Sequence, residues 1–187
     1  MHRTLVLATL IVIFLFVVFL FLSYISPFSA RSPFLDLSAP PGAKLYFEPD
    51  IIYSSCNNSS HNATLYLSSG FNTILSAQIE LSFGPPVYEV MLSPAPDNFF
   101  GDNGDYLVKL QEVREQYGRA SLALKINPNQ IEKRGEKPVA KLSFKTFSAV
   151  SSGSAQITFL NKTAVYSSES EESLLKETLP LKIICTR

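Results

Sequence analysis

Ser76–Phe83, SAQIELSF, decides how the greater part of this chain folds. Ile79, Leu81 and Phe83 alternate with Gln78, Glu80 and Ser82, the period of two that a strand needs to bury one face and wet the other. Working outward, the same alternation recurs. Leu65 and Leu67 alternate with Thr64, Tyr66 and Ser68, and Leu122, Leu124 and Ile126 with Ser121, Ala123 and Lys125. Leu142 and Phe144 alternate with Lys141, Ser143 and Lys145, Ile157 and Phe159 with Gln156 and Thr158, and Leu181 and Ile183 with Lys182. Turn chemistry separates the runs at Gly84-Pro85-Pro86, Ser93-Pro94-Ala95-Pro96, Gly101–Gly104, Asn127-Pro128-Asn129 and Ser151-Ser152-Gly153. About nine short antiparallel strands with no long helix among them call for two facing sheets, an all-β sandwich. Val108–Tyr117 reads as a strand running into a turn, and Glu169–Glu177 as a charged loop or single helical turn.

Upstream the pattern changes character. Leu5–Ile25, LVLATLIVIFLFVVFLFLSYI, holds 21 residues without charge or proline, the length of helix that spans a bilayer's hydrocarbon core. The run is too long for the apolar part of a cleaved signal, and Phe28 is bulky where a site ending at Ala30 would want a small residue. A retained transmembrane anchor over residues 1–25 is the favoured reading. The charge difference, Arg3 before the run and Arg31 after it, is thin but places the amino terminus in the cytoplasm and the carboxy-terminal domain outside. Residues 26–42, SPFSARSPFLDLSAPPG, contain four prolines and no alternation, which makes them a semi-extended tether to the domain at residues 43–187.

The 16 Lys and Arg balance 16 Asp and Glu, and no basic stripe interleaves with aromatics, so nucleic acid is a poor partner. Two cysteines are too few for a disulfide framework or a cysteine-based zinc site. Cys56 and Cys185 lie near the two ends of the folded part, and outside the cytoplasm such a pair can oxidise if first and last strands are neighbours; two free buried thiols are the alternative.

The succession AKLYFEP, SAQIELSF, GPPVYEVMLSPAPDNFF, GRASLALKI, GEKPVAKLSFKTF and SGSAQITF, from Ala43 to Ile184, resembles the cohesin module of bacterial cell-surface and cellulosome proteins. The resemblance implies a nine-stranded jelly-roll sandwich related in fold to cellulose-binding modules, and a role in binding without catalysis or cofactor. It implies a protein partner of the dockerin type. The outward residues of the strands that resemble the family's recognition sheet are Gln78, Glu80, Ser121, Lys125 and Thr158, a polar and mildly charged surface. Where family members carry Tyr-Asp-Pro after the third strand, this chain has Phe83-Gly84-Pro85.

Other chemistries have thinner support. His61 lies five residues from Cys56, but such proximity in one polar loop does not make a nucleophilic pair. Asp97, Asp102 and Asp105 suit calcium by ligand type, though their spacing departs from the Asp-x-Asp-x-Asp-Gly loop and an Asp/Asn/Gly turn explains them equally. Polysaccharide recognition is an alternative function, for which Tyr66, turned outward between Leu65 and Leu67, is the candidate stacking ring. An envelope or pilus-like subunit assembled through Leu5–Ile25 is a third.

Overall fold

The computed structural model describes residues 42–147 and 153–186, all within the compact unit Ala39–Arg187. The anchor expected at Leu5–Ile25 and the tether at residues 26–41 lie outside the described residues. Among the described residues no helix is long and apolar enough to cross a membrane.

Among the described residues twelve strands form: β1 (Ala43–Glu48), β2 (Ile51–Ser54), β3 (Ser59–Ser68), β4 (Ser76–Ser82), β5 (Val87–Pro94), β6 (Tyr106–Arg114), β7 (Arg119–Ile126), β8 (Glu136–Thr146), β9 (Gly153–Phe159), β10 (Ala164–Tyr166), β11 (Leu175–Leu179) and β12 (Leu181–Cys185). One sheet runs β11-β1-β3-β8-β5; the other runs β2-β12-β9-β4-β7-β6, with β10 beside β4. The two-sheet, all-β architecture matches the alternation in the sequence. The strand count and the purely antiparallel pairing do not.

Two split strands account for the parallel pairing and for two of the three extra strands, β10 being the third. β1 pairs in parallel with β11 in one sheet, and β2 pairs in parallel with β12 in the other. Each member is half of a split strand. The chain leaves β1, passes Pro49 and Asp50, and continues as β2 on the opposite sheet; it leaves β11, passes Pro180, and continues as β12. A proline cannot donate to a ladder, so it marks the point where a strand lets go of one sheet. Lys182 N donates to Asp50 O at 2.8 Å and holds the two crossings together. The halves, like β10, are three to six residues long, and a period that brief, visible only at Leu181–Ile183, does not show where a strand changes sheet. Glu169–Glu177 accordingly resolves into an acidic loop followed by the start of β11, with no helical turn, while Val108–Tyr117 is a strand ending in the 3-10 turn Glu115–Tyr117.

The core lies between the sheets. Leu45, Leu65, Ile79, Leu81, Leu122 and Leu142 are fully buried, each at an inward position of its strand, as burial of an apolar face requires. Phe47 on β1 stacks on Phe159 of β9 with ring centroids 5.3 Å apart, joining one sheet to the other. Asn98 seals one end: its amide donates to Ala95 O at 3.0 Å and its oxygen accepts from Phe100 N at 2.7 Å. That turn drives Phe99 and Phe100 inward as an edge-to-face pair.

At the opposite end a disulfide joins Cys56, in the loop after β2, to Cys185 at the end of β12, with Cα atoms 5.4 Å apart. Beside it Ser54 Oγ, Thr146 Oγ1 and His61 Nε2 form a triangle with sides of 2.9, 3.0 and 3.1 Å. Ser54 belongs to one sheet and the other two to its partner, so the triangle is a polar bridge across the open end of the sandwich.

Candidate ligand-binding face

The outer surface of the larger sheet follows from strand register, because residues directly opposite on neighbouring strands share a face. Glu80 of β4 lies opposite Ser121 of β7, Gln78 opposite Ala123, and Ser76 opposite Lys125. Ser82 lies opposite Thr158 of β9. All five residues singled out in the sequence therefore sit on one surface, Lys125 toward one end and Thr158 toward the other.

Three of them are knit together. Ser121 Oγ donates to Glu80 Oε2 at 2.5 Å, and Gln78 Nε2 donates to Glu80 Oε1 at 3.2 Å. The Glu80 backbone is held as well: its N–H donates to Thr163 Oγ1 at 3.1 Å, and its carbonyl accepts from Thr163 Oγ1 at 3.0 Å and from Leu160 N at 2.8 Å. The carboxylate at the middle of the face is thus fixed on rigid strands before any partner arrives.

The sequence pattern did not reveal the apolar part of this face. β6 pairs Leu107 with Lys125 and Leu110 with Ala123, the register slipping by one residue between Val108 and Leu110. A bulge places both Leu107 and Leu110 outward, although their odd spacing contradicts a period of two. Leu110 stays 39% exposed next to the Glu80 network. Farther along β6, Glu112 lies opposite Ser121 and Arg114 opposite Arg119; Arg114 Nε donates to Glu112 Oε1 at 2.7 Å. That bond, more than the charge itself, holds the Glu112 carboxyl below and the Arg114 guanidinium above their ordinary ranges. The result is a small apolar patch on the edge strand β6, flanked on one side by the Glu80 network and along the strand by two arginines.

Tyr66 lies on the outer face of the other sheet, opposite Tyr46. The two rings stack at 5.6 Å with an interplanar angle of 15°, and Lys44 Nζ stands 5.7 Å over the Tyr46 ring. One face of each tyrosine is therefore occupied by the other. Burial and a hydrogen bond to the Glu136 carboxylate push the Tyr46 phenol up to about 12, and burial with the nearby Glu48 carboxylate raises Tyr66 as well.

The carboxylates near the β5–β6 connection diverge. Asp102 pairs with Lys137 at 3.2 Å, while Asp105 accepts from the side-chain amides of Asn127 and Gln130. Among the described residues no three His, Cys, Asp or Glu side chains are grouped to hold a metal ion. His61 shares Nε2 between two hydroxyls, with no carboxylate among its hydrogen-bond partners, and the Cys56 sulfur is spent in the disulfide; the groups a nucleophilic pair needs are not assembled.

No family model matches this chain, and no curated protein matches it in sequence. Solved structures do match. The third cohesin of ScaC from Acetivibrio cellulolyticus, in complex with the ScaB dockerin, aligns over 78% of this chain and 99% of its own at 15% identity, with a TM-score of 0.60. A type I cohesin–dockerin complex from Clostridium thermocellum aligns over 76% and 92% at 11% identity and 0.60. A non-cellulosomal cohesin from the archaeon Archaeoglobus fulgidus aligns over 78% and 92% at 9% identity and 0.56. The likeness first visible in the order of strand and turn motifs holds at the level of architecture: the described domain has the cohesin fold.

Proposed function

We propose that the domain is a non-catalytic binding module that recognises a dockerin-like protein module through the outer face of β9, β4, β7 and β6. The observation that carries this reading is the Gln78–Glu80–Ser121 network, preorganised beside Leu107, Leu110 and Ala123. An apolar patch on the edge strand excludes water from one side of the contact, while the fixed polar groups of the two inner strands beside it set register. Support also comes from solved neighbours of the same fold that hold dockerins. In this reading Leu5–Ile25 anchors the chain in the membrane, residues 26–42 form the tether, and the module stands outside the cytoplasm.

The test is binding of the full chain, reconstituted in lipid nanodiscs, to a panel of type I dockerin modules by surface plasmon resonance. Saturable binding to a panel member is expected, weakened at least tenfold by Leu110→Lys. Binding to no panel member, or binding indifferent to Leu110→Lys, would overturn the proposal.

A further inference from the structure

The chain enters the sandwich at the start of β1, where Lys44 lies opposite Ser68, the last residue of β3. Three loops crowd the same end. Residues 69–75 and 127–135 are sewn together by Ser69 N to Gly135 O at 2.9 Å, Gly135 N to Ser69 Oγ at 2.9 Å, and a bridge between Ile74 and Lys133. The loop after β10 joins them through Ser168 N to Glu132 Oε1 at 2.9 Å, and Leu174 O accepts from Ala43 N at 2.9 Å.

This end carries the two most exposed large apolar side chains of the described residues, Ile131 at 87% and Phe71 at 74%. Single exposed apolar residues are common, but here both project from adjoining loop tips at the one end the tether leads to. Lys133 and Arg134 follow Ile131 and make no ion pair among the described residues. A semi-extended tether of 17 residues reaches at most about 50 Å. If Leu5–Ile25 is embedded, that keeps the loop tips at high effective concentration against the lipid, where even a weak contact is populated.

We infer that this end of the sandwich docks on a zwitterionic phospholipid surface, with Phe71 and Ile131 entering the headgroup layer and Lys133 and Arg134 donating to lipid phosphates. The inference rests on the anchor reading of Leu5–Ile25 and is independent of the identity of the protein partner. A zwitterionic surface is favoured because the loop after β10 brings Glu169, Glu171 and Glu172 to the same end, alongside Glu132, Glu136, Asp102 and Asp105. Those carboxylates oppose a strongly anionic membrane.

The chain contains no tryptophan, so single tryptophans report position without background. Phe71→Trp, Ile131→Trp and, as the remote reference, Tyr53→Trp on the outer edge of β2, 69% exposed, are introduced separately into the full chain. Each is reconstituted in phosphatidylcholine nanodiscs with and without a headgroup-depth nitroxide lipid. Insertion of about 5–10 Å is expected to blue-shift the emission of the first two variants and to let the nitroxide quench them about twofold or more, leaving Tyr53→Trp unaffected. Emission from Phe71→Trp and Ile131→Trp at the water-exposed wavelength, quenched no more than the reference, would overturn the inference. So would a full chain that does not enter the nanodiscs.

Discussion

Ser121 on β7 donates its hydroxyl to the Glu80 carboxylate on β4 at 2.5 Å, across the centre of the larger sheet's outer face. Both residues are half-buried before any partner is present, so the bond fixes a charge that would otherwise sample several rotamers. Ser121→Ala should therefore act on recognition more than on folding. The expected loss is about 1–2 kcal/mol of partner affinity, with less than about 1 kcal/mol of stability. Calorimetric titration and urea unfolding of the same variant separate the two quantities; a stability loss exceeding the affinity loss would assign the bond to the fold instead.

The disulfide from Cys56 to Cys185 closes a sequence separation of 129 residues. In the chain-entropy account a loop of that size contributes about 4–5 kcal/mol, by restricting the unfolded chain. The double variant Cys56→Ser, Cys185→Ser should lower the denaturant midpoint accordingly. Mass analysis of the unreduced protein after alkylation should find neither thiol modified, and two alkylated cysteines would sink the expectation.

His61 couples the open end of the sandwich to pH. Burial of its ring against Phe144 pulls its protonation below the ordinary imidazole value of 6.5. The unfolded chain therefore takes up a proton at a pH where the folded one resists it. Stability from the neutral ring is complete above about 6.5 and is lost as pH falls through the lower folded value. Urea midpoints between pH 7.5 and 5 should decline more steeply for the natural chain than for His61→Phe; parallel slopes would remove His61 as the cause.

Gly118 occupies a left-handed backbone position, φ 58°, after the 3-10 turn. A Cβ there would lie 2.1 Å from the carbonyl oxygen of Phe83, which is backbone and cannot step aside. Gly118→Ala should cost on the order of 1–3 kcal/mol by combining that collision with an unfavourable φ. Thermal unfolding beside the neighbouring Tyr117→Ala, which meets neither obstacle, checks it.

Leu122 sits fully buried on β7 between the outward Ser121 and Ala123. Leu122→Ala should cost about 2–5 kcal/mol through the cavity left behind, as read from the urea midpoint.

β4 and β7 were legible because each keeps a strict period of two over its whole length, as Ser76–Phe83 does, and because glycine and proline punctuate the runs. Strands of three to six residues give the period little length, so although Leu181 and Ile183 alternate with Lys182, the splitting of the strands at Pro49 and Pro180 escaped notice. In hindsight those prolines between apolar runs were the signal. On the candidate face the polar members followed from alternation taken together with the family resemblance that singled out their strands, whereas Leu107 and Leu110 were hidden by the bulge between them, a feature of pairing that no single strand displays. Tyr66 was rightly turned outward, but its stacking on Tyr46 depends on which strand lies beside it.

Between the sheets, on the side where β5 and β6 approach, Gln111 Nε2 donates to Leu92 O at 3.0 Å. Both strands are also irregular there, one between Tyr88 and Met91 and the other between Val108 and Leu110. A margin that is kinked twice and already has a carbonyl engaged is a poor template for a foreign strand. Crowded copies of the domain thus stay separate molecules and do not fuse into fibres.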